Sequence, residues 1–560
     1  MYKIYLINTE NFKLKQKNKT KTNRFLREKT MDEKKELQVE ETPQEPVEET
    51  AVESAEEPAQ PANETPAEEP SAEQKVEDVE QRDEDSEASE PVEETLAEQR
   101  DEVSEVSKAS KKKKEKKKLT KEQKKKRAAK ALIIVGSILL AFAIFISSCA
   151  IANAVGTKAL IEQGSQVAKV EYTEHEQLIP TKDEDGYYFF TKPDDGREFK
   201  IVQLTDVHIG GGCFSSQKDA WAMNAVATMV RAEQPDLVIV TGDIAYPVPF
   251  QAGTFNNLHA TQIFSNMMEH LGVYWTFTFG NHDTEIYGTH DKQAIINYYE
   301  NANYKYCLFN RGSLYDTKTE GGFDVNGCGN NIIKVKNPDG IITQAIVTLD
   351  SHSYFDGDYL GIQWKYDNLH QPQVDWYAQE MDKLVAQNVA KGGANEPIKN
   401  MAFFHIPLVE YRDAWKQVID KYGDVKNKKF EAGTVISDEV TYYYGVMGES
   451  DKARHGVRSY GVFCGYQQDE FFETGLTHGL QAVFCGHDHY NNFSVSYKGV
   501  RLTYGMSVDY LAYPGIFKVH AQRGCTVITL DKDGEFTSTP KNYYKDYDVA
   551  PEKGEFTQAE

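Results

Sequence analysis

The sequence predicts an α/β fold for the folded part of this chain, and three observations predict it. Short apolar runs of strand length recur along the chain, such as FKIVQL at 199–204 and DLVIVT at 236–241. Stretches with helical periodicity, such as 215–233, lie between many of these runs. Polar residues cluster directly after several of them. Alternation of this kind is typical of helices layered on a largely buried sheet.

Residues 1–107 are predicted to form a disordered acidic tail. Between Met31 and Val106 the chain carries about thirty acidic residues against five basic ones and has no aromatic residue. Such a segment buries too little apolar surface to offset the conformational entropy lost on folding. Nothing in this composition identifies a protein partner.

A basic segment at 108–130 leads into an apolar segment at 131–155, which has 25 residues and no charge. That length is enough to span a bilayer as a helix, although a buried core helix is an alternative. The run of basic residues at 108–130 lies wholly on the N-terminal side of the segment. The positive-inside rule therefore predicts a single-pass protein of the cell membrane, with a cytoplasmic N-terminus and an extracellular folded domain.

A polar, partly helical connector is predicted at 156–185, where it would hold the folded domain off the membrane. The domain itself is predicted at 186–545, and 546–560 is predicted to be a C-terminal tail. Residues 131–560 keep a net charge of about −19. Nucleic acid is therefore not expected as a partner of the folded domain, because duplex binding draws on a basic face.

Within the domain, the first element is predicted to be a hairpin that pairs 187–190 with 197–206. Two long segments, 311–340 and 431–460, are predicted to be loop insertions. Further strands are predicted at 273–279, 344–349, 401–405, 481–485, 501–505 and 525–530, and further helices at 258–271, 292–301, 373–388 and 469–476.

Side chains of the kind that bind metals follow five of the strand runs directly. Each group alone has an ordinary explanation as a turn, a strand-end polar residue or a core histidine. Ligand sites in α/β sheets gather outside the carboxyl ends of the strands, so we expect the five groups to share one crevice. The seven candidate ligands are Asp206, His208, Asp243, Asn281, His405, His487 and His489.

Imidazole nitrogens and carboxylate oxygens suit Mn, Fe, Zn or Ni, and this set is large enough for two divalent metal ions. Asp243 is the natural bridging ligand, since Gly242 before it allows a close backbone approach. Two divalent cations, two carboxylates and a bridging hydroxide would leave a charge of about +1, which attracts a phosphate. The pattern predicts hydrolysis of a phosphoester by metal-activated hydroxide.

The series D-x-H, G-D, G-N-H-D, H and G-H-D-H, over residues 199–530, resembles the calcineurin-like metallophosphoesterase superfamily. The sequence around these motifs is most similar to a purple-acid-phosphatase-like branch that includes fungal cell-cycle-regulator phosphatases. The resemblance implies a four-layer α-β-β-α sandwich. It also implies that one metal takes Asp206, His208, Asp243 and His489, and that the other takes Asp243, Asn281, His405 and His487.

By the same resemblance, His282 would touch the phosphate and protonate the leaving oxygen as general acid. An unperturbed histidine titrates near pH 6.5 and suits that role. Purple acid phosphatases bind iron through the Tyr of G-D-x-x-Y. Tyr246 has that spacing, but His208 stands where that family has Gly, so an iron-tyrosinate site is not expected.

Three further residues have a functional and a structural interpretation that stay open on the sequence. Asp283 is a candidate for orienting His282, and His352 and Tyr411 follow other strand runs. The protein as a whole also keeps an alternative interpretation, as an inactive surface binding or structural envelope protein on the same fold.

Overall fold

The described part of the chain comprises residues 120–551 of the computed structural model, except 315–325, 356, 359, 424, 426–427, 449–457 and 514–522. The acidic tail predicted at 1–107 and the basic residues before Thr120 lie outside it. Most of the predicted C-terminal tail also lies outside it.

The helices and strands are numbered here in chain order. The helices are α1 (Lys121–Gly164), α2 (Ser216–Glu233), α3 (Pro249–Ala252), α4 (Asn257–Leu271), α5 (Lys292–Asn301), α6 (Gln371–Ala390), α7 (Val409–Tyr422) and α8 (Phe471–Thr477). The strands are β1 (Thr181–Lys182), β2 (Tyr188–Thr191), β3 (Phe199–Leu204), β4 (Leu237–Thr241), β5 (Trp275–Thr278), β6 (Asn331–Lys336), β7 (Ile342–Thr348), β8 (Asn400–Phe403), β9 (Thr434–Val435), β10 (Val440–Tyr444), β11 (Arg458–Ser459), β12 (Val462–Phe463), β13 (Leu480–Cys485), β14 (Ser494–Tyr497), β15 (Val500–Tyr504), β16 (Gly524–Leu530) and β17 (Phe536–Asn542).

Helix α1 contains the whole apolar segment predicted at 131–155 and continues beyond both of its ends. Thr120 caps its first turn through a capping box with Gln123. By length and composition this helix could cross a membrane, and its apolar residues are exposed. Its last turns are different, because Leu160 is buried against the domain and the helix packs on α2 and α4. The predicted connector thus begins as part of a docked helix.

Two sheets form the centre of the domain. The larger has ten strands in the order β1-β2-β6-β7-β8-β13-β15-β14-β10-β9, and the smaller has five in the order β17-β16-β3-β4-β5. Neighbouring strands β3, β4 and β5 are parallel, and so are β7, β8, β13 and β15. Parallel strands bring successive carboxyl ends to one edge of each sheet.

Three apolar clusters separate four layers. Alternate residues of a strand point to opposite faces, and in β3 this sends Phe199 and Ile201 into the space between the sheets and Val202 and Leu204 toward the helices. The outer face of the small sheet packs on α2, α4 and α5, and that of the large sheet packs on α6, α7 and α8. The predicted four-layer α-β-β-α sandwich is therefore confirmed.

The predicted hairpin at the start of the domain is wrong. Strand β2 pairs with β1 and β6 in the large sheet, whereas β3 lies in the small sheet. The turn between β2 and β3 carries the chain from one sheet to the other. Phe190 and Phe199 still meet, with ring centroids 5.1 Å apart, but across the space between the sheets.

Both predicted loop insertions contain regular structure. The first, 311–340, includes β6, and the second, 431–460, includes β9 and β10. The turn-forming residues of these segments hid short strands, of which β6 pairs with β2 and β7, and β10 pairs with β9 and β14. Helix α7 was also missed, although its apolar residues recur at helical spacing and bury Trp415 and Val418.

We expect Phe199→Ala to lower the free energy of unfolding by about 3–5 kcal/mol, because it opens a cavity between the sheets. Urea unfolding of the detergent-solubilised chain measures this. Val435→Ala is the control: that side chain is 61% exposed, so its loss should change stability by less than about 0.5 kcal/mol. Equal stability of the two variants would contradict the layered core.

Candidate metal centre

The five groups of candidate ligands lie together at the carboxyl ends of strands from both sheets. Strand β3 precedes Asp206 and His208, and β4 precedes Asp243. Asn281 follows β5 in the same sheet. The large sheet contributes His405 after β8 and His487 and His489 after β13. The structure thus brings all seven predicted residues into one buried crevice.

One half of the crevice holds Asp206, His208, Asp243 and His489. These four are buried, and each offers one ligand atom within 4.8 Å of the others. The His208 Nε2 atom lies 3.1 Å from Asp243 Oδ2, and His489 Nε2 lies 3.2 Å from Asp206 Oδ1. This half is the set that the family resemblance assigned to one metal.

The other half is built around His405. Its Nε2 atom lies 3.2 Å from Asp243 Oδ2, 3.1 Å from Asn281 Oδ1 and 3.3 Å from His487 Nδ1. Asp243 Oδ2 therefore faces His208 in one half and His405 in the other. A carboxylate that bridges two metals needs this position.

The arrangement around His405 needs a positive charge. His405 Nδ1 lies 2.8 Å from the carbonyl oxygen of Thr241, so a neutral His405 donates there and turns a lone pair toward the crevice. Asn281 Oδ1 and Asp243 Oδ2 face the same point and are also acceptors. Acceptors that face one another in a buried site require either a proton or a metal ion between them.

The pKa shifts of His405 and Asp243 indicate the same need for positive charge in the crevice. Burial opposes protonation of His405, but the carboxylates of Asp243 and Asp206 outweigh it and raise the pKa of His405 to about 9. Burial also opposes ionisation of Asp243, yet His405 and His282 hold the pKa of that carboxyl well below its usual range. The donor set of carboxylates, imidazoles and one amide therefore fits divalent cations.

Backbone strain marks the same residues. Asp206, His208, Asp243 and His487 all have positive φ, between 51° and 77°. Non-glycine residues rarely adopt this conformation, and it persists only where the surrounding structure enforces it. Four strained residues among seven candidate ligands indicate a site that is held in place for function.

Two glycines of the motifs are required by the close approach of the ligands. A Cβ atom on Gly280 would lie 2.2 Å from Asp243 Oδ1, and one on Gly486 would lie 2.7 Å from Asp206 Oδ2. The G-N-H-D and G-H-D-H segments can therefore reach the carboxylates only through glycine.

Asp509 also lies in the site, although it was not among the residues predicted from the sequence. This buried carboxylate lies 3.0 Å from His489 Nδ1 and 3.4 Å from His208 Nδ1, so it faces the far nitrogens of two candidate ligands. Such carboxylates fix the orientation of metal-binding histidines. The signal was present in the sequence, because Asp509 follows the predicted strand at 501–505 just as the ligands follow theirs.

His282 lies at the open side of the crevice, with 20% of its side chain exposed. Its backbone N–H donates to Asp243 Oδ1, and its Nδ1 atom lies 2.8 Å from Glu285 Oε1. Tyr354 donates to the same Glu285 oxygen and accepts from the amide of Asn281. Glu285 and Tyr354 thus tie His282 to Asn281, and neither was predicted.

Of the two interpretations of Asp283 that the sequence left open, its hydrogen bonds support the structural one. Its carboxylate accepts hydrogen bonds from the backbone N–H groups of Gly280, Asp243 and Ala245. Burial raises the pKa of Asp283 to about 6. Asp283 therefore holds two ligand-bearing turns together, which the adjacent position in the sequence could not reveal.

The remaining candidates have other roles. The Tyr246 ring lies 4.8 Å from the His208 ring, but its hydroxyl donates to Gln251, and burial raises its pKa. Tyr411 is a core residue whose hydroxyl donates to the Val483 carbonyl. His352 stacks on His370 with ring centroids 4.0 Å apart, outside the crevice.

Comparison with known proteins agrees with this geometry. The family model described as Calcineurin-like phosphoesterase matches residues 199–491, which include all seven candidate ligands. The chain belongs to the calcineurin-like phosphoesterase family. The resemblance stated from the motifs is confirmed, and the roles of the individual ligands stay predictions.

Relatives within this family place the chain near purple acid phosphatases. It is 25% identical over 351 residues to "Probable inactive purple acid phosphatase 29" of Arabidopsis thaliana, which covers 60% of this chain and 77% of that protein. It is 26% identical to "Phosphatase DCR2" of Saccharomyces cerevisiae, over 54% of this chain and 45% of that protein. A dimetal phosphatase from Danio rerio aligns with 61% of this chain and 99% of its own at a TM-score of 0.35 and 10% identity.

We expect Asp509→Asn to weaken metal binding by about 10–100-fold, because the amide replaces the charge that orients His208 and His489. Competition between the purified chain and a fluorescent chelator for Mn²⁺ measures the affinity. Asp194→Asn, an exposed turn residue, is the matched control and should bind as wild type does. An unchanged affinity in Asp509→Asn would show that the carboxylate has no positioning role.

Proposed function

We propose that this protein is a membrane-anchored, dinuclear-metal phosphoesterase. The observation that carries the proposal is the pair of half-sites that share Asp243 Oδ2, each with buried carboxylate and imidazole atoms at 3.1–3.3 Å. Two divalent cations held there would activate water and offset the charge of a phosphate group. Mn, Fe, Zn and Ni all suit the donor set.

In this proposal, Asp206, His208, Asp243 and His489 hold one cation. Asp243, Asn281, His405 and His487 hold the other. The Asp509 carboxylate accepts from His489 Nδ1–H and the Thr241 carbonyl accepts from His405 Nδ1–H, which leaves a lone pair on Nε2 of each ring facing the crevice. Asp509 also lies 3.4 Å from His208 Nδ1.

His282 is the proposed general acid. Its Nδ1 atom is engaged by Glu285, so its Nε2 atom is the one left to give a proton to the leaving oxygen of the ester. Its partial exposure puts it at the mouth of the crevice, where the alcohol part of a substrate would leave.

Helix α1 is the proposed membrane anchor. The apolar residues at 131–155 are exposed on a helix long enough to cross a bilayer. The basic residues between Lys121 and Lys130 precede the apolar part, which favours a cytoplasmic N-terminus and an extracellular catalytic domain.

A second candidate function is an inactive binding module on the same fold. The names of three plant relatives include the word inactive, which favours it. The intact donor set and the partly exposed His282 beside it favour turnover instead. If the protein is an enzyme, replacing these residues should reduce hydrolysis. A binding module makes no such requirement.

We expect Asp243→Asn to lower hydrolysis of p-nitrophenyl phosphate and bis-p-nitrophenyl phosphate by at least about a hundredfold. A lost bridging ligand should cost more than a lost orienting residue, which costs about 10–100-fold. Steady-state rates of the full chain in detergent with Mn²⁺ measure this, with Asp194→Asn as control. Equal rates in wild type and Asp243→Asn would favour the binding module.

We expect His282→Ala to lower turnover by about 10²–10⁴-fold on phenyl phosphate, whose poor leaving group needs a proton. The loss on p-nitrophenyl phosphate should be smaller, because p-nitrophenolate leaves without one. Comparing the two rates in wild type and variant measures the difference. An equal loss on both substrates would contradict the role as general acid.

A further inference from the structure

Four large apolar side chains are exposed on one face of the domain. Phe250 is 93% exposed, Phe214 is 59%, Phe255 is 49% and Ile286 is 64%. Single exposed apolar residues are ordinary, but a group of them on one face indicates a surface that something covers. We call these four residues the apolar rim.

The rim is a continuous feature of neighbouring loops. Phe250 lies in the short helix α3, and Phe214 donates its backbone N–H to the carbonyl of Ala252 at the end of that helix. The Phe255 ring lies 6.5 Å from the ring of Tyr287, which follows Ile286 in the chain.

Helix α1 is fixed to these same loops. Asn153 donates to the carbonyl of Gly253 and accepts from the backbone N–H of Cys213. Cys213 is adjacent to Phe214 in the chain, and Gly253 directly follows α3, the helix that carries Phe250. One turn further along, Thr157 donates to the carbonyl of Gly211.

This attachment leaves no spacer between the apolar part of α1 and the rim. The apolar segment 131–155 is about 37 Å long as a helix, and a bilayer core is about 30 Å thick. Asn153 lies two residues before the end of that segment. If α1 crosses a membrane, the rim therefore lies within about one helical turn of the bilayer surface.

The rim also borders the candidate metal centre. Ile286 is adjacent in the chain to Glu285, which holds His282. Tyr246 donates to Gln251 in α3, and the Tyr246 ring lies 4.8 Å from both His208 and His282. The same loops thus carry the rim on one side and the open side of the crevice on the other.

We propose that the apolar rim inserts into the bilayer that α1 crosses, and that the metal centre acts on phosphoesters carried by lipid headgroups. This inference rests on the proposed function. The occupant is the bilayer because α1 brings its surface to the rim. The domain is acidic, so apolar insertion, and not attraction to anionic lipid, holds the rim in place.

The docking half is tested with Phe250→Trp in the full chain, held one copy per nanodisc of palmitoyl-oleoyl phosphatidylcholine. The difference in emission against the parent chain reports the new indole. Replacing half of the lipid by dibromo-phosphatidylcholine should quench that signal at least twofold. Val435→Trp, at an exposed strand position remote from α1, should show no quenching.

An unquenched Phe250→Trp signal overturns the docking. A signal that is unquenched in single-copy nanodiscs but blue-shifts on self-association or on adding a protein also overturns it, because a second copy or a protein partner then covers the rim. This readout does not need turnover, so it stays decisive even if the proposed phosphoesterase activity fails.

The substrate half is tested with phosphatidic acid and phosphatidylglycerol in the same nanodiscs, against p-nitrophenyl phosphate in solution. We expect the wild-type chain to hydrolyse one of the two lipids. Phe250→Ser should lower the ratio of lipid turnover to p-nitrophenyl phosphate turnover about tenfold, with Val435→Ser as control. Turnover of p-nitrophenyl phosphate without either lipid, or an unchanged ratio, overturns this half and leaves the proposed function intact.

Discussion

The structure depends on one electrostatic constraint: acceptor atoms from two sheets face one another in a buried crevice and need positive charge between them. His405 Nε2, Asn281 Oδ1 and Asp243 Oδ2 converge on one point. Without positive charge this arrangement would cost several kcal/mol in unsatisfied or repelling groups. Three apolar clusters pack the parallel strands in place. These strands hold the turns that carry the ligands, so the fold tolerates the unfavourable arrangement.

Strand-end ligands were predictable because a parallel sheet orders its carboxyl ends, and the apolar runs located those ends. Asp509 was predictable by the same rule, but it belongs to no recognisable metal-binding motif. Glu285 lies only three residues after His282, but it follows no strand run. Tyr354 was not predictable, because its hydrogen bond to Glu285 joins segments 69 residues apart. The hairpin prediction failed for a related reason: apolar runs show where strands lie, but not which sheet each one joins.

Helix α1 has a fixed position relative to the candidate metal centre. A mobile tether would let the crevice face any direction, whereas Asn153 and Thr157 bind the helix to the loops beside the crevice. Docking of the last turns on α2 and α4 therefore makes α1 part of the folded domain. In the proposed orientation, the anchor and the apolar rim together decide which phosphoesters can reach the metals.

We propose that two cations lie in the crevice and share Asp243. Anomalous diffraction from crystals of the full chain grown with Mn²⁺ would locate them. Two anomalous peaks about 3.5–4 Å apart are expected, one beside His208 and His489 and the other beside His405 and His487. A single peak, or peaks at other residues while the crevice stays empty, would contradict it.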